Sequence, residues 1–395
     1  MGDQYIFWDL ETTGRNDKFD QITQVGAVLT DHNFEVKDKL EIHSKLREGK
    51  WFEPGALLTT GVDPLNLFQN NYPNYYEASA QLYETFQQWS SPSAIFIGFN
   101  NINFDEPFLR QALYQNLMPE IYMTVTNNNV RMDVFEILRL VSVYSPEHIK
   151  FNTDDQGYPI LKLEEIFKKN DISISYEAGP HDAVFDSLVT LELNKILSIR
   201  CPQIWKSAYD FRLRETPKKF LLDHLVFTNT TFWGRRPTIK AQTLIAGVPG
   251  KNHHYLVYNL LFDPKKLQDL DDKELIKKMN DGVKRICEVF DGSKSKTLLN
   301  ESYCFKDSKF AEIGVDELRS RANFIKNNEE FCSRLIQLYI DNQKKWPDPF
   351  NVEERIFESF PSPQDKKVML DFHTSPNNKK FEISQQFKDD RYKEL

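Results

Sequence analysis

The sequence predicts an α/β protein whose first domain, residues 1–200, is a mixed β-sheet flanked by helices. Apolar runs that favour strands occur at 5–9, 22–31, 34–43 and 93–99. The second and third runs flank the polar turn Asp31-His32-Asn33, which predicts a hairpin, and the run at 93–99 is typical of a buried parallel strand. Helical spacing of apolar residues occurs over 75–90, 105–116, 132–144, 161–170 and 182–199.

The pattern changes after Cys201-Pro202. Residues 205–220 are rich in basic and aromatic side chains, and they are followed by predicted strands at Val226–Thr231 and His254–Leu261. Residues 272–290 mix helix and strand signals, and from about 310 the pattern is helical, for example over 328–342 and 352–357. We therefore expect a second, smaller β-containing domain and then a helical region.

Bulk properties exclude several classes of protein. The 395 residues are 40% hydrophobic, which suits a large folded core rather than a disordered chain. We expect no membrane span, because long apolar runs are missing, and no signal peptide. The four cysteines lack metal-type spacing and are interpreted as reduced thiols of a cytoplasmic protein. The net charge of −8 argues against a generally basic nucleic-acid-binding surface, although a local basic groove remains open.

The first strand carries two acids, Asp9 and Glu11, directly before the turn Thr12-Thr13-Gly14. Strand side chains alternate between faces, so both carboxylates point the same way. Two adjacent acids repel each other unless a cation lies between them, and such oxygen ligands suit Mg²⁺ or Mn²⁺. The alternative, two solvated acids at a strand end, stays open from this motif alone.

Two further segments bring acids to helix starts. Asp105 follows the fourth strand and the turn Asn100-Asn101 and opens the next helix, a place where Asp also serves as an N-cap. His181 follows Gly179-Pro180 at the entry to another helix, which carries Asp186. We expect His181 on a mobile lead-in and Asp186 fixed by the helix. Taken singly, these are also ordinary surface residues.

The ordered set Asp9, Glu11, Asp105, His181 and Asp186 resembles the DEDDh exonuclease family, since residue types, order and structural context all agree. The resemblance is closest to one branch, the bacterial exonuclease I family. Segments that carry it are Gly98–Asp105, Val130–Asp133, Leu161–Glu165, His181–Ala183 and Phe232–Arg235.

The resemblance implies three domains. These are an RNase H-like exonuclease domain (1–200), an SH3-like β-barrel domain with a basic and aromatic DNA-binding surface (201–345) and a helical C-terminal domain (346–395). In that family the third domain closes around the bound strand. The chain is expected to end before the last helices of that domain.

The expected activity is hydrolysis of single-stranded DNA in the 3′→5′ direction to 5′-mononucleotides, with a role in DNA repair and recombination. Asp9, Glu11, Asp105 and Asp186 are expected to bind two Mg²⁺ ions, for which Mn²⁺ can substitute. His181 is the expected general base, because an unperturbed imidazole titrates near neutral pH.

The resemblance also suggests substrate contacts and partners. The candidate substrate-binding residues are Glu11, Lys162, Arg110, Arg139, Arg214, Arg131 and His253. Basic side chains suit the phosphates of a single strand, although each is also an ordinary surface cation. Trp233 is interpreted as either a stacking surface or a domain-packing residue, and packing is favoured. A further expected partner is the acidic tail of single-stranded DNA-binding protein, and the chain is expected to be a monomer without membrane contact.

Two other functions stay open. The same catalytic core cuts RNA in sister families, so a 3′→5′ exoribonuclease is one alternative, although the residues beyond the core argue against it. The other is a non-catalytic module that binds single strands on a degenerate nuclease fold, which the complete set of five motif residues disfavours. Degradation of matched DNA and RNA strands separates the three.

Overall fold

A computed structural model describes residues 4–69, 71–344 and 347–395. They form two compact units. The first, the catalytic unit, comprises residues up to Val134, Ile172–Lys195 and the chain from Pro347 onward. The second, the barrel unit, comprises Phe135–Asp171 and the chain from Ile196 as far as residue 344.

The strands form two five-stranded sheets and one small two-stranded sheet. Their bounds are β1 (Gln4–Thr12), β2 (Ile22–Thr30), β3 (Val36–His43), β4 (Ala94–Gly98), β5 (Val130–Asp133), β6 (Asn152–Thr153), β7 (Pro159–Ile160), β8 (Phe227–Trp233), β9 (Arg236–Gly247), β10 (His254–Asn259), β11 (Cys287–Asp291) and β12 (Leu299–Asn300).

The helices are distributed over both units. Their bounds are α1 (Pro54–Thr60), α2 (Pro64–Gln69), α3 (Tyr75–Trp89), α4 (Asp105–Gln115), α5 (Val134–Tyr144), α6 (Leu163–Lys169), α7 (Ala183–Arg200), α8 (Pro202–Phe211), α9 (Thr216–Asp223), α10 (Pro264–Leu267), α11 (Asp272–Met279), α12 (Ser308–Ile313), α13 (Val315–Asn327), α14 (Glu329–Asp341), α15 (Pro363–Thr374), α16 (Asn377–Ser384) and α17 (Arg391–Glu394). Short 3₁₀ helices occur at Pro146–His148, Gly282–Lys284, Gly292–Lys294, Glu301–Lys306 and Val352–Arg355.

The sheet of the catalytic unit is mixed and has the strand order β3-β2-β1-β4-β5. β1, β2 and β3 pair antiparallel, whereas β4 pairs parallel with both β1 and β5. β1 is thus the central strand, and its apolar side chains join a core that α3 and α4 complete, including Trp8, Phe86 and Phe108. Helices that cover a mixed sheet confirm the predicted fold class of this domain.

The C-terminal segment has its own apolar cluster within the catalytic unit. Val368 and Met369 of α15 and Tyr392 of α17 pack with Tyr114 and Leu117 at the end of α4. The buried Arg391 guanidinium donates to the carbonyl oxygens of Arg355 and Ser359 and so fixes the preceding turn. Helices are thus present beyond residue 346, while the predicted domain boundaries stay a prediction.

The sheet of the barrel unit is antiparallel, with the strand order β11-β10-β9-β8-β12. The predicted strands at Val226–Thr231 and His254–Leu261 are confirmed as β8 and β10. β9, which runs from Arg236 to Gly247, was not predicted. Its central residues Lys240 and Gln242 are polar and yet buried, so the apolar pattern that signals a strand is hidden.

Two other expectations concern the cysteines and membrane-spanning helices. Cys201, Cys287, Cys304 and Cys332 are all free thiols, as predicted. Among the helices of the described ranges, none combines the length and apolar character that crossing a bilayer requires.

Candidate active site

β1 presents Asp9 and Glu11 on one face of the central sheet. The antiparallel register places Asp9 opposite Gly26 and Glu11 opposite Gln24 of β2. Paired residues of antiparallel strands point to the same face, so the two acids have Gly26 and Gln24 as their neighbours on that face. Both acids are half-buried. The predicted alternation along β1 is therefore present in the structure.

Asp105 is the first residue of α4 and is 2% exposed. Its Oδ1 accepts a hydrogen bond of 3.0 Å from the backbone N–H of Leu10, the residue between Asp9 and Glu11. The N-cap position of α4 is occupied by Phe104, so Asp105 does not act as the N-cap that local reasoning allowed. This long-range bond fixes the start of α4 against the middle of the acidic strand.

His181 and Asp186 join Glu11 from the start of α7. Each of Glu11, His181 and Asp186 offers one possible ligand atom, and these three atoms lie within 4.8 Å of one another. The backbone N–H of His181 donates to Asp186 Oδ2 at 3.3 Å, and His181 has the left-handed φ of 68°. The interpretation of His181 as mobile stays a prediction, but its backbone is held in this structure.

Gly26 allows α7 to reach the sheet. A Cβ atom at Gly26 would lie 2.0 Å from the carbonyl carbon of Ala183 and 2.1 Å from the amide nitrogen of Val184. Ser187 Oγ donates to the Gly26 carbonyl oxygen at 3.0 Å. Because only a residue without a side chain permits this approach, Gly26 sets the distance between Asp186 on α7 and the acids of β1.

The electrostatics of the cluster favour a cation. Burial, followed by repulsion from Asp105 and Asp186, raises the pKa of Asp9 well above its usual range. Burial, followed by repulsion from Asp186 and Asp105, raises the pKa of Glu11 to about 9. Burial also raises the pKa of Asp105 to about 8, against two backbone hydrogen bonds that lower it. Carboxylates crowded in this way ionise readily only when a positive charge is supplied.

The donor set fits a divalent metal ion. Four carboxylates, those of Asp9, Glu11, Asp105 and Asp186, offer the hard oxygen ligands that Mg²⁺ and Mn²⁺ prefer. Such an ion would relieve the burial and repulsion that raise the pKa values of Asp9, Glu11 and Asp105. The residues present fit such an ion in chemical type, while the metal site itself stays a prediction.

The predicted substrate residues Arg110 and Arg131 share a buried partner. Both guanidinium groups donate to Glu106 Oε2, Arg131 at 2.5 Å, and the Glu106 side chain is 1% exposed. Arg131 is itself buried, which gives it a packing role and disfavours contact with a substrate. Arg110 is half-buried and also lies over the ring of Tyr122, so its substrate contact stays a prediction.

The other predicted substrate residues lie in the barrel unit. Arg139 donates to Glu136 and lies between the rings of Phe135 and Phe232, 4.5 and 4.9 Å from their centroids. Lys162 and Arg214 are exposed. Their substrate contacts stay predictions, as does a direct contact of Glu11 with substrate.

In the barrel unit, His253 lies in the turn before β10 and Trp233 is the last residue of β8. His253 has a left-handed φ of 61°, and its carbonyl oxygen accepts the N–H of Gly292 at 2.8 Å. Trp233 is 74% exposed. This exposure does not favour a packing role for Trp233 within the barrel unit, which is the role that the sequence favoured. A substrate contact of His253 stays a prediction.

Two residues of the site were missed from sequence. Gln24 bonds to Asp182 and Ala183, and Asp182 Oδ1 accepts the N–H groups of Val184 and Phe185 as the N-cap of α7. An Asp directly before a helix is a recognised capping signal, so Asp182 was accessible to sequence reasoning. Gln24 left only a weak signal, a polar residue within an otherwise apolar strand.

Comparisons with known proteins show what the chain resembles in sequence and in fold. No family model matches the chain. It is 23% identical to exodeoxyribonuclease I of Buchnera aphidicola subsp. Schizaphis graminum over 99% of this chain and 81% of that protein. The structure of E. coli exonuclease I in complex with a dA16 oligonucleotide matches with a TM-score of 0.84 at 20% identity, over 99% of this chain and 85% of that one.

A structure described as SSB/exonuclease I in complex with an inhibitor also matches, with a TM-score of 0.80 at 20% identity, over 100% of this chain and 84% of that one. The chain therefore has the α/β fold and the domain layout of these neighbours. The chain thus resembles proteins named exodeoxyribonuclease I along nearly its whole length, in sequence and in fold.

Proposed function

We propose that this protein hydrolyses single-stranded DNA from the 3′ end and releases 5′-mononucleotides. The observation that carries the proposal is the convergence of Asp9, Glu11, Asp105, Asp186 and His181 on one face of the central sheet. Relatives named exodeoxyribonuclease I along nearly the whole chain support the substrate class. A neighbour solved with an oligonucleotide supports a single strand.

Asp9, Glu11, Asp105 and Asp186 would hold two Mg²⁺ ions, or Mn²⁺ in their place. Such ions lower the pKa of a bound water and stabilise the attacking and leaving oxygens of an in-line displacement at phosphorus. The carboxylates contribute by binding the cations in a partly buried site, where their own repulsion disappears once the cations are present.

His181 serves as the general base. Its ring is close to Glu11 and Asp186, and its backbone N–H is held by Asp186. In this position the imidazole accepts a proton from the attacking water as the phosphorus–oxygen bond forms, and the 3′-oxygen of the preceding nucleotide leaves. The hydrogen bond from Leu10 keeps one oxygen of Asp105 oriented within the same cluster.

The barrel unit contributes to binding of the strand. A cavity of about 280 Å³ in this unit is lined by cations and an aromatic ring, and also by three acids: Arg139, Lys294, Lys296, Phe232, Glu136, Glu288 and Asp291. Cations that bind phosphates and an aromatic face that stacks on a base are the two features that single-strand sites combine. We assign Arg139 to this surface, with Lys162, Arg214 and His253 as further candidate contacts.

The test uses a 3′-labelled oligonucleotide with Mg²⁺. We expect release of labelled mononucleotide that stops with chelator and in Asp186→Ala. Persistence of release under either condition contradicts the metal-dependent site. Faster degradation of a matched RNA strand would indicate an exoribonuclease, and tight binding without hydrolysis in Mg²⁺ or Mn²⁺ would indicate a binding module.

The same proposal includes a cellular context of DNA repair and recombination, a monomeric state and one protein partner, the acidic tail of single-stranded DNA-binding protein. A cavity of about 580 Å³ in the barrel unit has apolar walls, including Ile239 and Phe310, and the basic residues Arg236, Lys284 and Lys309. This chemistry suits an acidic peptide with an apolar end. Lys284→Glu should weaken binding of a tail peptide and leave hydrolysis of naked oligonucleotides unchanged.

A further inference from the structure

Gln24 lies next to Glu11 but belongs to none of the catalytic motifs. It pairs with Glu11 across β1 and β2 and with His43 across β2 and β3, so it lies on the acidic face of the sheet. The side chain is 6% exposed. A buried amide has both a donor and an acceptor to satisfy, and the partners that it finds define its role.

Both ends of the Gln24 amide bind the residues that directly follow His181. Oε1 accepts the backbone N–H of Ala183 at 3.2 Å, and Nε2 donates to Asp182 Oδ2 at 2.8 Å. A third, longer contact of 3.4 Å joins Nε2 to Glu41 Oε1. The Gln24 side chain thus forms hydrogen bonds with two consecutive residues, Asp182 and Ala183, which are 158 and 159 positions away in sequence.

These hydrogen bonds hold the residues that directly follow His181, whose backbone is strained. His181 has a φ of 68°, and a non-glycine residue stays in the left-handed region only where the surrounding contacts hold it there. On one side His181 donates to Asp186, and on the other Asp182 caps α7. Gln24 ties this capped start of the helix to the strand beside Glu11.

We propose that Gln24 is a positioning residue for His181. The inference rests on the proposed function, in which His181 is the general base. Gln24 holds Asp182 and Ala183 at a fixed distance from β1, and this directs the imidazole toward Glu11 and Asp186. It acts through His181 and contacts neither the phosphodiester nor the cation.

Gln24→Leu tests the proposal, since leucine keeps much of the side-chain volume and removes both hydrogen bonds. We expect kcat to fall about 10- to 100-fold, because small displacements of a catalytic group have effects of this size. KM for the oligonucleotide and the half-saturating Mg²⁺ concentration should change less than about twofold, since binding groups are untouched. An unchanged kcat overturns the proposal.

A matched control is Gln21→Leu. Gln21 is also a buried glutamine, but its amide donates to the Lys45 carbonyl oxygen and accepts the Arg47 N–H, so it bonds to neither Asp182 nor Ala183. We expect this variant to lower the melting temperature as much as Gln24→Leu does and to keep kcat near the wild-type value. Equal losses of kcat in both variants would mean a general structural effect and would overturn the proposal.

A compensating pair keeps the test decisive if Gln24→Leu does not fold. Gln24→Glu removes the donor that Asp182 requires and places two carboxylates face to face. Adding Asp182→Asn restores one donor and one acceptor in the opposite sense, and Asn still caps a helix. We expect Gln24→Glu to lose activity and the double variant to regain at least about tenfold in kcat. A folded double variant without recovery contradicts the proposal.

A double-mutant cycle with His181→Ala separates this inference from the proposed function. If Gln24 acts through His181, Gln24→Leu should change kcat less than about twofold once the imidazole is gone. Full multiplication of the two losses overturns the positioning role. If instead His181→Ala alone leaves kcat intact, the assignment of the general base fails, which is a different result.

Discussion

Each five-stranded sheet buries carboxylates, but the two sheets treat them in opposite ways. In the barrel unit, Glu288 of β11 accepts hydrogen bonds from Lys240 Nζ at 2.6 Å and Gln242 Nε2 at 2.7 Å. In the catalytic unit, Glu11 lies among other acids, and burial with their repulsion raises its pKa to about 9. The first arrangement is neutralised within the chain, whereas the charges of the second are relieved by bound protons or by a cation from outside.

This contrast distinguishes buried charges that have partners within the fold from buried charges that repel one another. A buried charge with matched partners contributes little net stability but is costly to break. A buried cluster of like charges lowers the stability of the protein and is expected only where function needs it. The contrast also holds for adjacent residues, since Asp105 belongs to the acidic cluster while Glu106 is paired with Arg110 and Arg131.

The largest expected effect is on activity. Asp9→Asn removes one metal ligand and should lower kcat on the order of 10³-fold or more. The same change removes a repelling charge, so the melting temperature in chelator should rise or stay constant. Hydrolysis assays and thermal unfolding of the same preparations check both. A clear fall in melting temperature together with retained activity would place Asp9 among the structural residues.

The opposite behaviour is expected for Lys240→Met in the barrel unit. Lys240 and Glu288 are 4% and 11% exposed, so loss of the ammonium group leaves the buried carboxylate with the neutral donor Gln242 and the more distant guanidinium of Arg285. The free energy of unfolding should fall by about 3–5 kcal/mol. Denaturant titration measures it, with Lys240→Met/Glu288→Gln as the control that recovers part of the loss. If the single and double variants are equally stable, the pair is not compensating.

The third effect is a pH dependence of stability without metal. Unfolded Asp and Glu titrate near pH 4, whereas folded Asp105 and Glu11 have pKa values of about 8 and about 9. Between these limits the folded state binds more protons than the unfolded state. The contribution of these groups to the free energy of unfolding is therefore fully present below about pH 4. It is lost as the pH rises toward 9.

Denaturant titrations in chelator at pH 5.5, 7 and 8.5 measure this dependence. Stability should decline along the series, and Mg²⁺ should restore it most at pH 8.5, because protons compete with the metal ion for the carboxylates. Asp9→Asn should flatten the decline. A stabilisation by Mg²⁺ that is equal at all three pH values would argue against these carboxylates as the binding site.

Local patterns predicted the catalytic sheet well because its signals are local. The alternation in β1 placed Asp9 and Glu11 on one face, and the apolar run at 93–99 predicted the buried parallel strand β4. The family resemblance then joined Asp105, His181 and Asp186 to them. The structure brings Glu11, His181 and Asp186 together and ties Asp105 to β1.

What the sequence did not reveal depends on contacts between distant positions. β9 was missed because the partners that allow Lys240 and Gln242 to be buried lie on other strands. The role of Gln24 depends on Asp182, and nothing near Gln24 in sequence indicates that partner. The ion pair of Arg131 depends on Glu106, 25 positions away in sequence, and the sequence did not indicate that partner.

The smallest effect concerns two cations that share one carboxylate. Glu106 binds both Arg110 and Arg131, so removal of Arg110 leaves the buried acid with one partner. Arg110→Met should therefore lower the free energy of unfolding by only about 1 kcal/mol, including its stacking on Tyr122. Arg131→Met removes the more deeply buried partner and should cost about 3 kcal/mol.

Denaturant titration of these two variants, paired with KM measurements, also tests the predicted substrate contacts. If Arg110 binds a phosphate, Arg110→Met raises KM by a few fold while Arg131→Met leaves KM unchanged, since Arg131 is buried against Glu106. Equal losses of stability in both variants would show that Glu106 needs both arginines. In that case Arg110 serves to neutralise Glu106 in the folded protein rather than to bind substrate.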